Sequence, residues 1–184
     1  LLTNIIYYFK FTGQSSAKMI RRAKISEIPD IIAISKACAE HMISKGIYQW
    51  NEHYPAAKAF KNDIERKELH VLEMNQKIIG TIVISTLIDE EYKPVEWLTP
   101  GTKNIYIHRL AIKPSEQGKG YAQQLMDFAE NHAKDQGFES VRLDTFSQNK
   151  RNQLFYEKRG YRRLEDIFYP KQSEHPFHCY ELVF

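Results

Sequence analysis

Gln117-Gly118-Lys119-Gly120-Tyr121-Ala122 is the stretch that decides how this chain is read. It separates an apolar, strand-like run over 105–112 from an amphipathic helical run over 121–133. Two glycines at the mouth of a helix leave several backbone N–H groups without side-chain cover. Those donors, with the positive end of the helix dipole, suit a diphosphate. A glycine turn that merely starts a helix is the plainer reading of the same residues. A Walker-type loop would need Gly-x4-Gly-Lys followed by Ser or Thr, and the chain has none. A dinucleotide fingerprint needs a third glycine and a one-step turn from strand to helix. Here the third position is Gln123, and residues 113–117 separate the strand from Gly118. Glu139 lies about 20 residues on, where a ribose-binding acid would sit, but it precedes a strand instead of ending one.

Working outward, 184 residues are enough for one domain with a sizeable core. No apolar run approaches the roughly 20 residues of a membrane helix. A net charge of +3 is too small to argue for nucleic acid. Between Thr145 and Arg163, however, six basic residues stand against the single acid Glu157. That is either a solvated helix face or a patch for an anionic ligand. Cys38 and Cys179 lie far apart in no metal-ligand spacing, so they read as free buried thiols in a reducing, cytoplasmic setting. The histidines are too scattered for a metal site. Residues 1–18 precede a clean strand start at Met19 and read as an N-terminal extension or an expression remnant. They are set apart from a single domain over 19–184.

Strands are predicted over 19–25, 69–74, 77–87, 105–112, 140–146, 161–169 and 177–184, and helices from Ser26 toward Gly46 and over 56–67, 121–133 and 149–159. Ser26 is the expected cap of the first helix. Residues 88–103, with Pro94, Pro100 and Gly101, read as a long hairpin loop. The class is mixed α/β, with too few β-α alternations for a doubly wound sheet.

A second segment changes the weight of the glycine loop. Asn149 opens the helix that carries Phe155-Tyr156-Glu157-Lys158-Arg159-Gly160-Tyr161. With Leu110-Ala111-Ile112 before Gln117, Gly120 and Ala122, the chain here resembles the GNAT superfamily of acyl-CoA-dependent N-acetyltransferases. The phosphate motif of that family is Gln/Arg-x-x-Gly-x-Gly/Ala, and its later motif is Asn, then Tyr seven residues on, then Glu-Lys-x-Gly-Phe/Tyr. Asn152 departs mildly from the small residue usual three after the Asn.

The resemblance implies a mixed, mostly antiparallel central sheet flanked by helices and splayed at the acetyl-CoA site. It implies that amides across Gly118, Lys119, Gly120, Tyr121 and Ala122 bind the pyrophosphate, with Gln117 shaping the loop. The pantetheine arm would pair like an added strand against Leu110, Ala111 and Ile112, and Asn149 would contact that arm. Lys158, with Lys119 or Lys150, would lie near phosphates. Tyr156 would be the general acid, because a phenol stays protonated at neutral pH. His108 would be the base: its ordinary pKa near 6.5 suits that role, some family members carry a catalytic histidine there, and strand alternation puts it on the face of Leu110. Glu96 and Asp144 remain alternative bases. Tyr106 replaces the glutamate that histone acetyltransferases of the family use.

The expected activity is transfer of acetyl from acetyl-CoA to a primary amine of a small acceptor, without metal, nucleic acid or membrane; a homodimer is common in such folds. Tyr48, Trp50, Glu52, His53, Tyr54 and Trp97 on one side, and His175, Phe177 and His178 on the other, are the candidate acceptor pocket. Two alternatives stand beside this reading. One is a non-catalytic acyl-CoA binding or sensing module. The other is an unrelated phosphate- or nucleic-acid-binding domain.

Overall fold

Short apolar runs with period-two alternation, broken by Gly, Pro and Asn, build a sheet, and the longer amphipathic runs cover it. A computed structural model of the protein describes residues 18–51, 54–170 and 172–184. The element order is β1 (Lys18–Arg22), α1 (Ile28–Ile43), α2 (Ala57–Glu65), β2 (Leu69–Met74), β3 (Lys77–Ser85), β4 (Asn104–Ile112), α3 (Tyr121–Asp135), β5 (Ser140–Phe146), α4 (Lys150–Lys158), β6 (Arg162–Ile167) and β7 (Phe177–Val183). The sheet order is β1-β2-β3-β4-β5-β7-β6. Only β4 and β5 run parallel; the other neighbours are antiparallel.

Residues 1–17 of the expected extension over 1–18, together with Glu52 and His53, lie outside the described residues, and Lys18 belongs to β1. β1 ends at Arg22, earlier than the expected 25, because the chain turns into a short 3-10 segment at Ile25–Glu27. Ser26 falls inside that segment and makes no cap bond; the backbone N–H of Lys24 is instead satisfied by the Glu27 carboxylate at 2.8 Å. Asn75 and Gln76 form the tight turn between β2 and β3, both with positive φ.

One face of the central strands, with Ile105, Ile107, Val141 and Leu143, packs on Leu125, Met126, Ala129 and Ala133 of α3. The periodic stripe read in the sequence is therefore core. The opposite face carries Tyr106 and Phe146, covered by Tyr92 of the β3–β4 connection and by Phe177. A buried polar cluster holds that connection down. Arg142 donates to Glu181 at 3.0 Å and to the Thr99 carbonyl at 2.5 Å, and its guanidinium lies 4.6 Å over the Trp97 ring. Glu181 also accepts from the Leu98 N–H and from Ser140.

Two features position the site. First, β4 and β5 pair only from Asn104–Ser140 to Ile107–Leu143, so the parallel strands part beyond that point. Second, β4 carries a bulge: three steps from His108 to Ala111 face two steps from Val83 to Thr81. Arg109 takes up the extra residue with φ of 52°, a left-handed conformation that costs an arginine about 1 kcal/mol or more.

Candidate active site

The bulge is held from below. The Arg109 guanidinium donates to both carboxylate oxygens of Asp63 on α2, at 2.9 and 3.0 Å. Asp63 is fully buried, and Thr81 adds a hydroxyl bond to the Arg109 carbonyl. With alternation interrupted at Arg109, His108 and Leu110 no longer share one face through simple pleating. Ile107, His108, Arg109 and Leu110 all line the same cleft, of about 330 Å³.

At one end of the parted strands stands the mouth of α3. Gly118 and Gly120 have φ of 80° and 81°, a region open to glycine without steric cost. No side chain caps α3, and across its first turn the Gln124 N–H donates to the Gly120 carbonyl. The N–H groups of Tyr121, Ala122 and Gln123 therefore have no acceptor within the helix. The Gln117 side-chain amide donates to the Ile112 carbonyl at 3.0 Å. The oxygen of the same side chain accepts from Arg151 at 3.2 Å, which brings a guanidinium to the glycine loop. That residue stood in the basic run but was not singled out. Lys119 pairs with Glu116 at 2.9 Å. Lys158 sits seven residues after Arg151, about 10 Å farther along α4.

Asn149 caps α4, accepting from the Asn152 N–H, and donates to Gln49 at 2.9 Å. It therefore ties the loop after α1 to the cleft. Much of the basic run is spoken for elsewhere: Arg159 binds Glu130 and Asp127, and Arg163 faces Asp166.

Tyr156 reaches the cleft from α4, with its ring packed edge-on against Phe155 and Tyr161. Burial first, then the charge of Asp144, holds its hydroxyl well above the pKa of a free phenol. His108 lies 3.8 Å from Asp89, yet burial and then the neighbouring Arg109 charge push its pKa down to about 3. The ordinary value expected from the sequence does not apply, and the ring is neutral at physiological pH. Asp144 behaves oppositely. Burial raises its carboxyl to about 6, with Asp89 and Glu91 adding to the rise, although it accepts a 2.5 Å hydrogen bond from Tyr92.

The acceptor candidates divide. Trp50, Tyr54 and Phe177 line the cleft. Trp97 does not: it stacks on Arg142 and Tyr92. His178 bonds to Asp166 at 2.6 Å, His175 packs on the edge of Phe146, and Tyr48 is exposed. Glu96 is also away from the cleft; its N–H donates to Glu165. The cleft adds residues the sequence did not single out, chiefly Gln49, Asp89, Glu91 and Tyr169. Among the described residues, no group of three His, Cys, Asp or Glu side chains could hold a metal, and no helix is long and apolar enough to cross a membrane.

Comparison with known proteins agrees with this geometry. The Acetyltransferase (GNAT) family model matches residues 31–161. An assigned acetyltransferase from Staphylococcus aureus Mu50 is 29% identical, with a TM-score of 0.70 over 90% of this chain and 98% of that one. A GNAT-family acetyltransferase from Streptococcus agalactiae 2603 is 24% identical, with a TM-score of 0.76 over 91% and 95%. PaiA N-acetyltransferase from Thermoplasma acidophilum, solved with coenzyme A, is 19% identical, with a TM-score of 0.68 over 91% and 99%. The last two share the fold. No curated protein matches the sequence. Glycine loop, parted strands and family match together identify the chain as a member of the GNAT acetyltransferase family.

Proposed function

We propose that this protein transfers the acetyl group of acetyl-CoA to a primary amine of a small acceptor. The observation that carries the reading is the end of β4–β5 pairing at Ile107–Leu143. It leaves main-chain groups of β4 open between the glycine loop and Tyr156. Similar folds from Thermoplasma acidophilum and Salmonella typhimurium were solved with coenzyme A and acetyl-CoA, respectively.

The residues fit such a co-substrate. The uncapped α3 mouth suits the diphosphate, with Arg151 beside it. The open edge of β4 suits the amide-bearing arm. A backbone N–H at the bulge would donate to the thioester carbonyl oxygen and stabilise charge that develops there. The free, buried thiols of Cys38 and Cys179 support a reducing, cytoplasmic setting.

Tyr156 serves the leaving sulfur. With a pKa above that of a free phenol, it acts chiefly by donating a hydrogen bond to the departing thiolate, because full proton transfer would run uphill. Asp144, raised to about 6, is better matched than His108 to take the proton of an alkylammonium near neutral pH. His108 presents a neutral ring nitrogen that orients the amine.

Thiol release from acetyl-CoA across an amine panel tests this. Amine-dependent release that falls about a hundredfold in Tyr156→Phe supports the reading. Saturable acetyl-CoA binding without release for any amine would instead favour a binding module.

A further inference from the structure

The charges lining the cleft do not balance. Asp89, Glu91 and Asp144 bring three carboxylates to it, against the one guanidinium of Arg109. That guanidinium is held by the bidentate bond to Asp63, which Arg66 also engages, and of the three carboxylates its remaining charge bears on Asp89, leaving the cleft net negative. His108 is uncharged. Among the described residues, no lysine or arginine lies within ion-pair distance of Asp89, Glu91 or Asp144; the nearest basic group is the His108 ring, 3.8 Å from Asp89. The carboxylates also feel one another, since Asp89 and Glu91 both raise Asp144. Asp89 is half-exposed and Glu91 exposed at the rim, with Asp144 deeper in the cleft, so the three present more negative than positive charge to an incoming ligand, which attracts a cation. Aromatic rings complete the lining: Trp50, Tyr54 and Tyr169 border the same space, and ring faces attract cations. The cleft, about 330 Å³, must also admit the acetyl end of the co-substrate, so the acceptor is small.

Resting on the transferase reading above, we infer that the acceptor carries a second cationic centre and no carboxylate: an aliphatic diamine or a longer polyamine. One amine sits between Asp144 and Tyr156. The other remains an ammonium near Asp89 and Glu91, at the rim formed by the β3–β4 connection. A free amino acid would bring its own carboxylate among three others, with no unpaired guanidinium to receive it.

Three amines of matched chain length test the inference: cadaverine, free lysine and pentylamine. Lysine differs from cadaverine by one carboxylate, and pentylamine lacks the second cation. Thiol release is measured with the intact protein and with Asp89→Asn and Glu91→Gln, whose thermal midpoints check folding. The expected result is a kcat/KM for cadaverine about fivefold above that of either other amine, the scale of one solvent-exposed charge pair. Each variant raises the cadaverine KM several-fold more than the pentylamine KM, while any change in kcat, from the loss of a carboxylate that raises Asp144, falls on both amines alike. Equal use of lysine and cadaverine overturns the inference, as does an equal effect of the variants on cadaverine and pentylamine. Failure of all three amines also overturns it. Release with some other amine in that case would leave the transferase reading standing; release with none would remove both.

Discussion

Asp144→Asn should make the protein more stable and less active. The replacement keeps the shape and an oxygen to accept the 2.5 Å bond from Tyr92, and removes only the charge. In the folded protein the carboxyl is raised from 3.8 to about 6, mainly by burial. A shift of about two pKa units corresponds to roughly 3 kcal/mol as an upper bound. Asp144 is partly solvent-exposed, and screening brings the expected effect to about 1–2 kcal/mol. The folded value lies above the unfolded one, so the ionised carboxylate opposes folding above about pH 6. That penalty shrinks as pH falls through 6 and vanishes below the unfolded value. The variant should therefore melt roughly 3–6 °C above the parent at pH 8, with the gap narrowing toward pH 4.5. Calorimetry at both pH values measures it. If Asp144 takes the amine proton, the same variant loses about a hundredfold or more in kcat. A lower melting temperature at pH 8, or a gap independent of pH, would refute the burial argument; unchanged turnover would refute the role as base.

His108→Gln should leave the acid limb of the pH–rate profile near 6 in place, because His108 itself titrates at about 3; disappearance of that limb would reassign the base. Gly118→Ala and Gly120→Ala should each weaken acetyl-CoA binding about fivefold by calorimetry, from roughly 1 kcal/mol of backbone strain. An added Cβ would meet no protein atom within 4 Å at either position, so a clash within the protein does not explain the loss. Arg142→Met leaves Glu181 buried without its cation and should cost about 3–5 kcal/mol, lowering the melting temperature by roughly 10 °C; a loss under 1 kcal/mol would refute the network's structural role.

Strands β2 and β5 fall where alternation and flanking turn residues put them, at Leu69–Met74 and Ser140–Phe146. The glycine loop and Tyr156 were legible because both depend on local sequence: a helix mouth and a helix face. The acidic rim was not. Asp89 and Glu91 lie in a connection without periodicity, and only the folding of that connection over β5, fixed by Arg142 and Glu181, brings them to Asp144. The bulge at Arg109 was hidden as well, since its cause is Asp63 on a distant helix. His108 was correctly found on β4, but its acidity depends on burial and on the Arg109 charge, neither of which a sequence states. Trp97 looked like a ligand-facing aromatic and is instead the lid on a buried guanidinium.

The Asp63–Arg109 clamp also bears on how this protein could change over generations. Asp63 is buried on α2 and does not line the cleft, yet it fixes the backbone kink beside which the reaction is proposed to occur. A lineage under selection for a new acceptor can therefore retune the site from α2, by shifting where that carboxylate stands, without altering any residue that borders the acceptor. Random libraries selected for changed acceptor preference should return hits around Asp63 as well as in the cleft wall.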